Sequence, residues 1–194
     1  MEPREAEQLA NELIGSAHVL VAAVLCVKNA ILSETGARLT FSQMKILKLI
    51  QLGGSHSVGD VGAFLHVSDA AASKAVDRLV RQKLLRRSEA RLDRRNSEIF
   101  LSAAGRKAVA QYDAARDRIL GAVFANLDAR EVRQTAAFLE KITRGIVSGR
   151  TKPEEMCLQC AIYLNQRCLV RDGAHPDCKY RRRRKAREAA GRKA

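Results

Sequence analysis

The sequence lacks any long run of apolar residues. The longest, Val19 to Val27, has nine residues, whereas a helix that crosses a bilayer needs about 20. The first residues, MEPREAEQ, are charged and polar, which is unlike a secretory signal peptide. We therefore expect a cytoplasmic protein with no membrane partner, in a compartment that keeps cysteine thiols reduced.

The sequence also lacks the patterns of a catalytic site. Its 4 histidines are scattered, and neither a glycine-rich phosphate-binding loop nor a nucleophile–base pair is recognisable. We therefore expect that the chain is not an enzyme, and a redox enzyme or electron carrier is the least supported class. No internal repeat is visible, so a repeat architecture is not predicted.

Acidic residues are few compared with basic ones. The chain has 35 Lys and Arg against 21 Asp and Glu, which gives a formal charge of +14 and a pI of about 10.1. Nine basic residues and one acid lie between Lys179 and Ala194, and the rest of the excess concentrates between Arg78 and Arg95. Such a balance favours a polyanionic partner, and a basic tail would suit RNA as well as DNA.

Apolar residues recur at steps of three and four from about Arg4 to Ser33, which predicts a long amphipathic helix. Its apolar face is broader than one neighbouring helix would cover, so we predict an interface with a second copy of the chain. Cys26 lies within this helix and is interpreted as a small buried core residue.

The middle of the chain has the pattern of two short helices followed by a basic hairpin. Strand-like runs at Leu84 to Ser88 and Ser97 to Leu101 flank an arginine-rich loop, Glu89 to Asn96. This order is typical of a winged helix-turn-helix, in which the second helix enters the DNA major groove. Predicted helix N-caps are Thr40, Ser57, Ser68 and Ser102.

Five short motifs follow one another along the chain: Val67-Ser68, Val76-Asp-Arg-Leu79, Leu84-Leu-Arg86, Asp93-Arg-Arg95 and Leu101-Ser-x-x-Gly105. With this ordered set the chain resembles MarR-type transcriptional regulators over roughly Glu5 to Ser148. In that family the long first and last helices form the dimer interface, so the resemblance implies a homodimer that binds double-stranded DNA.

The resemblance also implies DNA-binding residues. Arg94 would be the wing-tip arginine in the minor groove, oriented by Asp93, while Arg91 and Arg95 would reach phosphates. The groove-facing first turns of the recognition helix would hold Ser68, Asp69, Ala70, Ser73 and Lys74.

Two positions depart from the family pattern. Lys83 stands where the family usually has glycine after the recognition helix, and a left-handed lysine there costs about 1 kcal/mol. Asp69 brings a negative charge close to DNA, which is unusual unless it caps the helix or accepts a hydrogen bond from a cytosine amine.

Four of the 5 cysteines lie close together after a linker that begins at Thr151. Because thiolates are strong ligands for soft metals and the spacing is irregular, a 4Fe–4S cluster is the favoured interpretation. A zinc site and a metal-free thiol switch are the alternatives, and His175 is interpreted as a loop residue rather than a ligand. The predicted metal ligands are Cys157, Cys160, Cys168 and Cys178.

These observations predict a mainly α protein: a winged helix-turn-helix with a two-stranded β wing, a helical dimerisation region and a small C-terminal metal module. The preferred function is a regulator whose operator binding responds to the iron–sulfur cluster. The alternative is a regulator with a structural zinc module that responds to a small aromatic effector. The predicted segments are a dimerisation helix (1–39), the winged helix (40–105), further dimerisation helices (106–150), the cysteine module (151–180) and a basic tail (181–194).

Overall fold

The structure, a computed structural model, describes residues 2–36, 38–54, 56–88 and 98–150. These ranges are mainly helical, with one small antiparallel sheet. The elements are α1 (Pro3–Ser33), α2 (Phe41–Gly53), α3 (Val58–Leu65), α4 (Asp69–Arg81), β1 (Leu85–Arg87), β2 (Ile99–Leu101), α5 (Ala103–Phe124) and α6 (Ala129–Arg150).

Helix α2 is the centre of the core. It begins at a capping box in which Thr40 Oγ1 accepts from the Gln43 N–H at 3.3 Å and Gln43 Oε1 accepts from the Thr40 N–H at 2.9 Å. This box confirms Thr40 as the N-cap. The apolar side chains of α2 are buried against α3, α4, the sheet and α5; they are Met44, Ile46, Leu47, Leu49 and Ile50.

The predicted hairpin is present at its base. Strand β1 pairs antiparallel with β2, with Leu85 opposite Leu101 and Arg87 opposite Ile99. A further bridge, which the sequence pattern did not predict, joins buried His56 to Ile99 through N–H···O contacts of 3.2 and 2.9 Å. The loop before α3 is thereby fixed to the wing, so the wing base and the helix-turn-helix form one unit.

The start of α5 is held tightly against the turn between α4 and β1. Ser102 Oγ donates to the Lys83 carbonyl at 2.6 Å and accepts from the Gly105 N–H at 2.9 Å. Gly105 packs so closely that an added Cβ would lie 2.1 Å from the Leu84 carbonyl oxygen. The Leu101-Ser-x-x-Gly105 motif is therefore explained by a helix cap and a close backbone approach.

Helix α1 leaves most of its apolar face exposed in the single chain, and Val19 is 70% exposed. The interpretation of Cys26 as a buried residue was wrong: Cys26 is exposed, because the buried residues of α1, Ile31 and Leu32, lie in its last turn. By length and composition the whole helix would also qualify as membrane-spanning, which the nine-residue run did not indicate. A core helix of a soluble protein meets the same criterion, so this is weak evidence for a membrane.

An ion pair joins α2 to α5. The Lys48 ammonium lies 2.5 Å from Asp113 Oδ1, and the Lys48 side chain is only 8% exposed. Asp113 also accepts from Arg116 at 3.0 Å, and the Lys48 ammonium lies over the Tyr112 ring. Because a buried ammonium without a partner is costly, this pair fixes how α5 sits on the core.

Replacing Gly105 by alanine should lower the free energy of unfolding by about 1–3 kcal/mol, because the new methyl group would clash with the Leu84 carbonyl. Gly121→Ala in the same helix is the matched control, since nothing lies within 4 Å of its added Cβ. It should be neutral or stabilise by about 0.5–1 kcal/mol. Urea unfolding measures both, and equal midpoints would contradict the close approach.

Candidate nucleic-acid interface

Helices α3 and α4 are joined by a short turn that is held by helix caps and a backbone hydrogen bond. Ser57, a predicted N-cap, forms a capping box with Asp60 at the start of α3. At its end, His66 takes a left-handed conformation with φ of 54°, and the Val67 N–H donates to the Gly62 carbonyl at 3.1 Å. Ser68 then caps α4, with its Oγ accepting from the Ala71 N–H at 3.3 Å. The predicted helix-turn-helix is confirmed in its local geometry.

Helix α4 has one buried side and one exposed side. Ala72, Val76 and Leu79 are buried. The residues predicted to face a DNA groove come together on the first turns of the helix: Ser68, Asp69, Ala70 and Lys74 are exposed, and Ser73 is half-buried. Their contacts with bases stay a prediction.

The Asp69 carboxylate lies close to α3. Its Oδ1 lies so near α3 that a Cβ added to Gly62 would be 3.2 Å from it. Asp69 is also an acidic residue in the first turn of α4, where a negative charge interacts favourably with the helix dipole. This position accounts for an acidic residue at the start of α4, whose other charged side chains are Lys74, Asp77, Arg78 and Arg81.

An ion pair that the sequence pattern did not predict connects α4 to the wing. Arg87 Nη2 on β1 donates to Asp77 Oδ1 at 2.6 Å. On the same strand, the Arg86 guanidinium lies 5.3 Å from the centre of the Phe100 ring on β2. Both arginines of the wing base are thus held in place, and Arg87 is directed at the recognition helix.

The turn after α4 contains a left-handed residue that is not glycine. Lys83 has φ of 59°. The Leu84 N–H donates to the Leu79 carbonyl at 3.0 Å and the Lys83 N–H donates to the Val80 carbonyl at 2.9 Å. These two bonds are the pair of a Schellman motif, in which glycine is the usual left-handed residue. Lys83 therefore replaces the glycine that is usual at this position, while the helix end keeps the geometry of a Schellman motif.

Several predicted site residues lie outside the described ranges. Arg91, Arg94 and Arg95 fall in 89–97, and the four clustered cysteines with His175 fall in 151–194. Among the residues that the structure does describe, no three His, Cys, Asp or Glu side chains are grouped as a metal site.

Residues 39–96, from the residue before the Thr40 cap to the end of the wing loop, match one protein-family model. It describes the MarR family. The match covers the helix-turn-helix and the arginine-rich loop, which carry four of the five motifs, whereas Leu101-Ser-x-x-Gly105 lies outside it.

Known proteins agree with this match. The chain is 29% identical over 99 residues to an uncharacterized HTH-type transcriptional regulator, YwhA of Bacillus subtilis, covering 51% of this chain and 71% of that protein. A MarR family protein from Bacillus stearothermophilus has the same fold, with a TM-score of 0.65, 20% identity, and coverage of 73% of this chain and 97% of that one.

Staphylococcus aureus MarR, solved in complex with salicylate and kanamycin, gives a TM-score of 0.64 at 17% identity, over 75% of this chain and 97% of that chain. The family model, the relative and the structures agree on a winged-helix fold similar to that of MarR family proteins. About a quarter of this chain has no counterpart in these structures.

Replacing Lys83 by glycine should raise the free energy of unfolding by about 1 kcal/mol, because glycine adopts the left-handed conformation without a steric cost. The matched control is Gln82→Gly, at a residue with φ of −74° that gains nothing from glycine and should lose stability. Thermal or urea unfolding of both variants measures the difference. Destabilisation by Lys83→Gly would show that the lysine side chain makes a compensating contact.

Proposed function

We propose that the chain is a dimeric transcriptional regulator that binds duplex DNA and carries a metal-dependent signal in its C-terminal cysteine module. The observation that carries the DNA-binding part is the exposed start of α4, braced by α3 and by the Asp77–Arg87 ion pair, within a segment that matches the MarR family. The formal charge of +14 supports a polyanionic partner.

The dimer is proposed from exposed apolar surface. A soluble monomer rarely exposes a contiguous apolar patch as large as the face of α1, and α5 and α6 add further exposed side chains. A second copy of the chain would bury these surfaces and place two recognition helices side by side, as two-fold DNA half-sites require. The exposed side chains are Leu9, Ile14, Val19, Leu20, Val21, Val24 and Leu25 of α1, Val123 and Phe124 of α5, Leu127 between α5 and α6, and Phe138 and Ile146 of α6.

Under this proposal, α4 enters the major groove and Arg94 enters the adjacent minor groove. The register between β1 and β2 places Arg87 and Ile99, which lie on either side of residues 89–97 in the sequence, opposite each other. An arginine in a narrow minor groove contributes to sequence preference through groove shape, whereas an arginine on a phosphate does not.

Arg94→Ala should weaken binding to a selected operator by about 1–3 kcal/mol at fixed salt and relax its preference over a scrambled duplex. Arg91→Ala removes the same charge from the same loop and is the matched control, expected to weaken both duplexes alike. Fluorescence anisotropy titrations measure both ratios. If Arg94→Ala binds the operator as the wild-type chain does, the wing does not act as proposed.

For the cysteine module, we propose that Cys157, Cys160, Cys168 and Cys178 hold a 4Fe–4S cluster. Four thiolates are the usual ligand set of such a cluster, and only the first two have the spacing common in zinc knuckles. The module has few apolar residues, so metal binding would supply much of its folding free energy. The module follows α6 in the sequence, so gain or loss of the cluster would change how the dimer presents its recognition helices.

The second candidate keeps the regulator but makes the module a structural zinc site and a small aromatic molecule the effector. A cavity of about 590 Å³ beside the end of α1 favours it, because Arg38 in its wall suits a carboxylate. A structural relative was solved with salicylate, an aromatic carboxylate. The cavity is lined by Asn29, Leu32, Ser33, Gly36, Arg38, Leu39 and Thr40.

Serine replacement of each clustered cysteine should abolish the metal centre, because hydroxyls replace soft thiolates poorly. Cys26→Ser is the matched control and should leave metal content unchanged, since Cys26 lies on α1. The measurement is iron, sulfide and zinc per chain after anaerobic purification, with sedimentation to check that each variant stays dimeric.

Operator affinity should shift in one common direction in all four cysteine variants if the cluster is the sensor. A brown protein with iron and sulfide supports the cluster, and a colourless protein with zinc supports the second candidate. Metal-free variants that bind the operator with wild-type affinity would reduce the module to a structural appendage.

A further inference from the structure

A cleft with a basic wall lies between the start of α2 and the outer side of α4. Its volume is about 280 Å³. Leu65 at the end of α3 and Ile46 of α2 form its apolar floor, while Lys74 and Arg78 stand on its α4 side. This basic cleft is lined by Thr40, Ser42, Gln43, Ile46, Leu65, Lys74, Ala75 and Arg78.

The positive charges of the basic cleft are not neutralised within it. Lys74 and Arg78 are four residues apart on one helix, so they lie on the same face and repel each other. No carboxylate lines the cleft, and Asp77, the acidic residue between them, pairs instead with Arg87 of the wing at 2.6 Å. In the described ranges neither Lys74 nor Arg78 has a recorded ion pair. An anion in the cleft would relieve this repulsion.

The polar groups that the cleft offers are mostly donors. The side chains of Thr40 and Gln43 are engaged in the α2 capping box. Ser42 is exposed with a hydroxyl that has no recorded partner in the described part of the chain. A lysine ammonium, an arginine guanidinium and a hydroxyl around one opening form a donor set suited to phosphate oxygens.

We propose that the basic cleft binds a phosphate of the DNA backbone, so that Lys74 and Arg78 position the recognition helix rather than read bases. This rests on the proposed DNA binding and assigns to Lys74 a role different from the groove-facing one implied by its place on the first turns of α4. Ser42 of α2 becomes a contact on the same phosphate. Sequence preference is then left to the α4 residues outside the cleft and to the wing.

The variants Lys74→Ala and Arg78→Ala distinguish a contact with a phosphate from a contact with a base. A lost phosphate contact weakens a selected operator and a scrambled duplex by the same factor, and makes the slope of log affinity against log salt shallower by about 1. A lost base contact lowers affinity for the selected duplex alone. Arg81→Ala is the matched control, because it removes the same charge from an exposed position of α4 outside the cleft.

Neutral phosphates identify the contact directly. Single methylphosphonate substitutions are scanned along a duplex selected from random sequence by the full-length chain. At one position, a methylphosphonate should weaken binding by the wild-type chain but not further weaken binding by Lys74→Ala or Arg78→Ala. With Ser42→Ala, the same methylphosphonate should weaken binding by less than it does with the wild-type chain. The Arg81→Ala variant should respond to that substitution as the wild-type chain does.

Each outcome is decisive. Loss of discrimination between the two duplexes in Lys74→Ala would assign Lys74 to a base and overturn the proposal. Equal effects of Arg78→Ala and Arg81→Ala, or the absence of any coupled phosphate, would also overturn it, because the cleft would then have no specific occupant. If the wild-type chain binds no duplex at all, the proposed DNA binding fails first, and that result is distinct from the others.

Discussion

The close contact between α5 and the turn after α4 is the constraint on which the rest of the fold depends. Because Gly105 has no side chain, the start of α5 approaches the Leu84 carbonyl, and Ser102 bonds to the carbonyl of Lys83. The same few residues end the recognition helix, begin β1, end β2 and begin α5. A substitution that prevents this close contact would displace the recognition helix, the wing and the long helices together.

Around this junction, the exposed side of α4 is left for a partner while every other side is held. The buried side packs on the core, the N-terminus is capped by Ser68, and the C-terminus closes through Lys83 despite its strained backbone. Asp77 ties the helix to the wing base through Arg87. A rigid helix with basic side chains on its free surface is what recognition of a regular polyanion requires, since loose contacts would lose affinity to conformational entropy.

Local signals in the sequence were sufficient for the elements and their caps. The capping boxes at Thr40 and Ser57 depend on residues three apart, and the apolar spacing of α4 marks its buried side. Contacts between distant residues were missed, because the His56–Ile99 bridge and the Asp77–Arg87 pair depend on strand register and helix placement rather than on any short motif. Cys26 was misassigned because an apolar helix face does not reveal whether its cover comes from the same chain.

The Lys48–Asp113 pair has a mechanical consequence. Sliding or tilting α5 relative to α2 would separate a nearly buried ammonium from its carboxylate, which costs several kcal/mol in such surroundings. The pair therefore holds the first turns of α5 to α2, so that a movement of these turns would carry α2 and the core around it along.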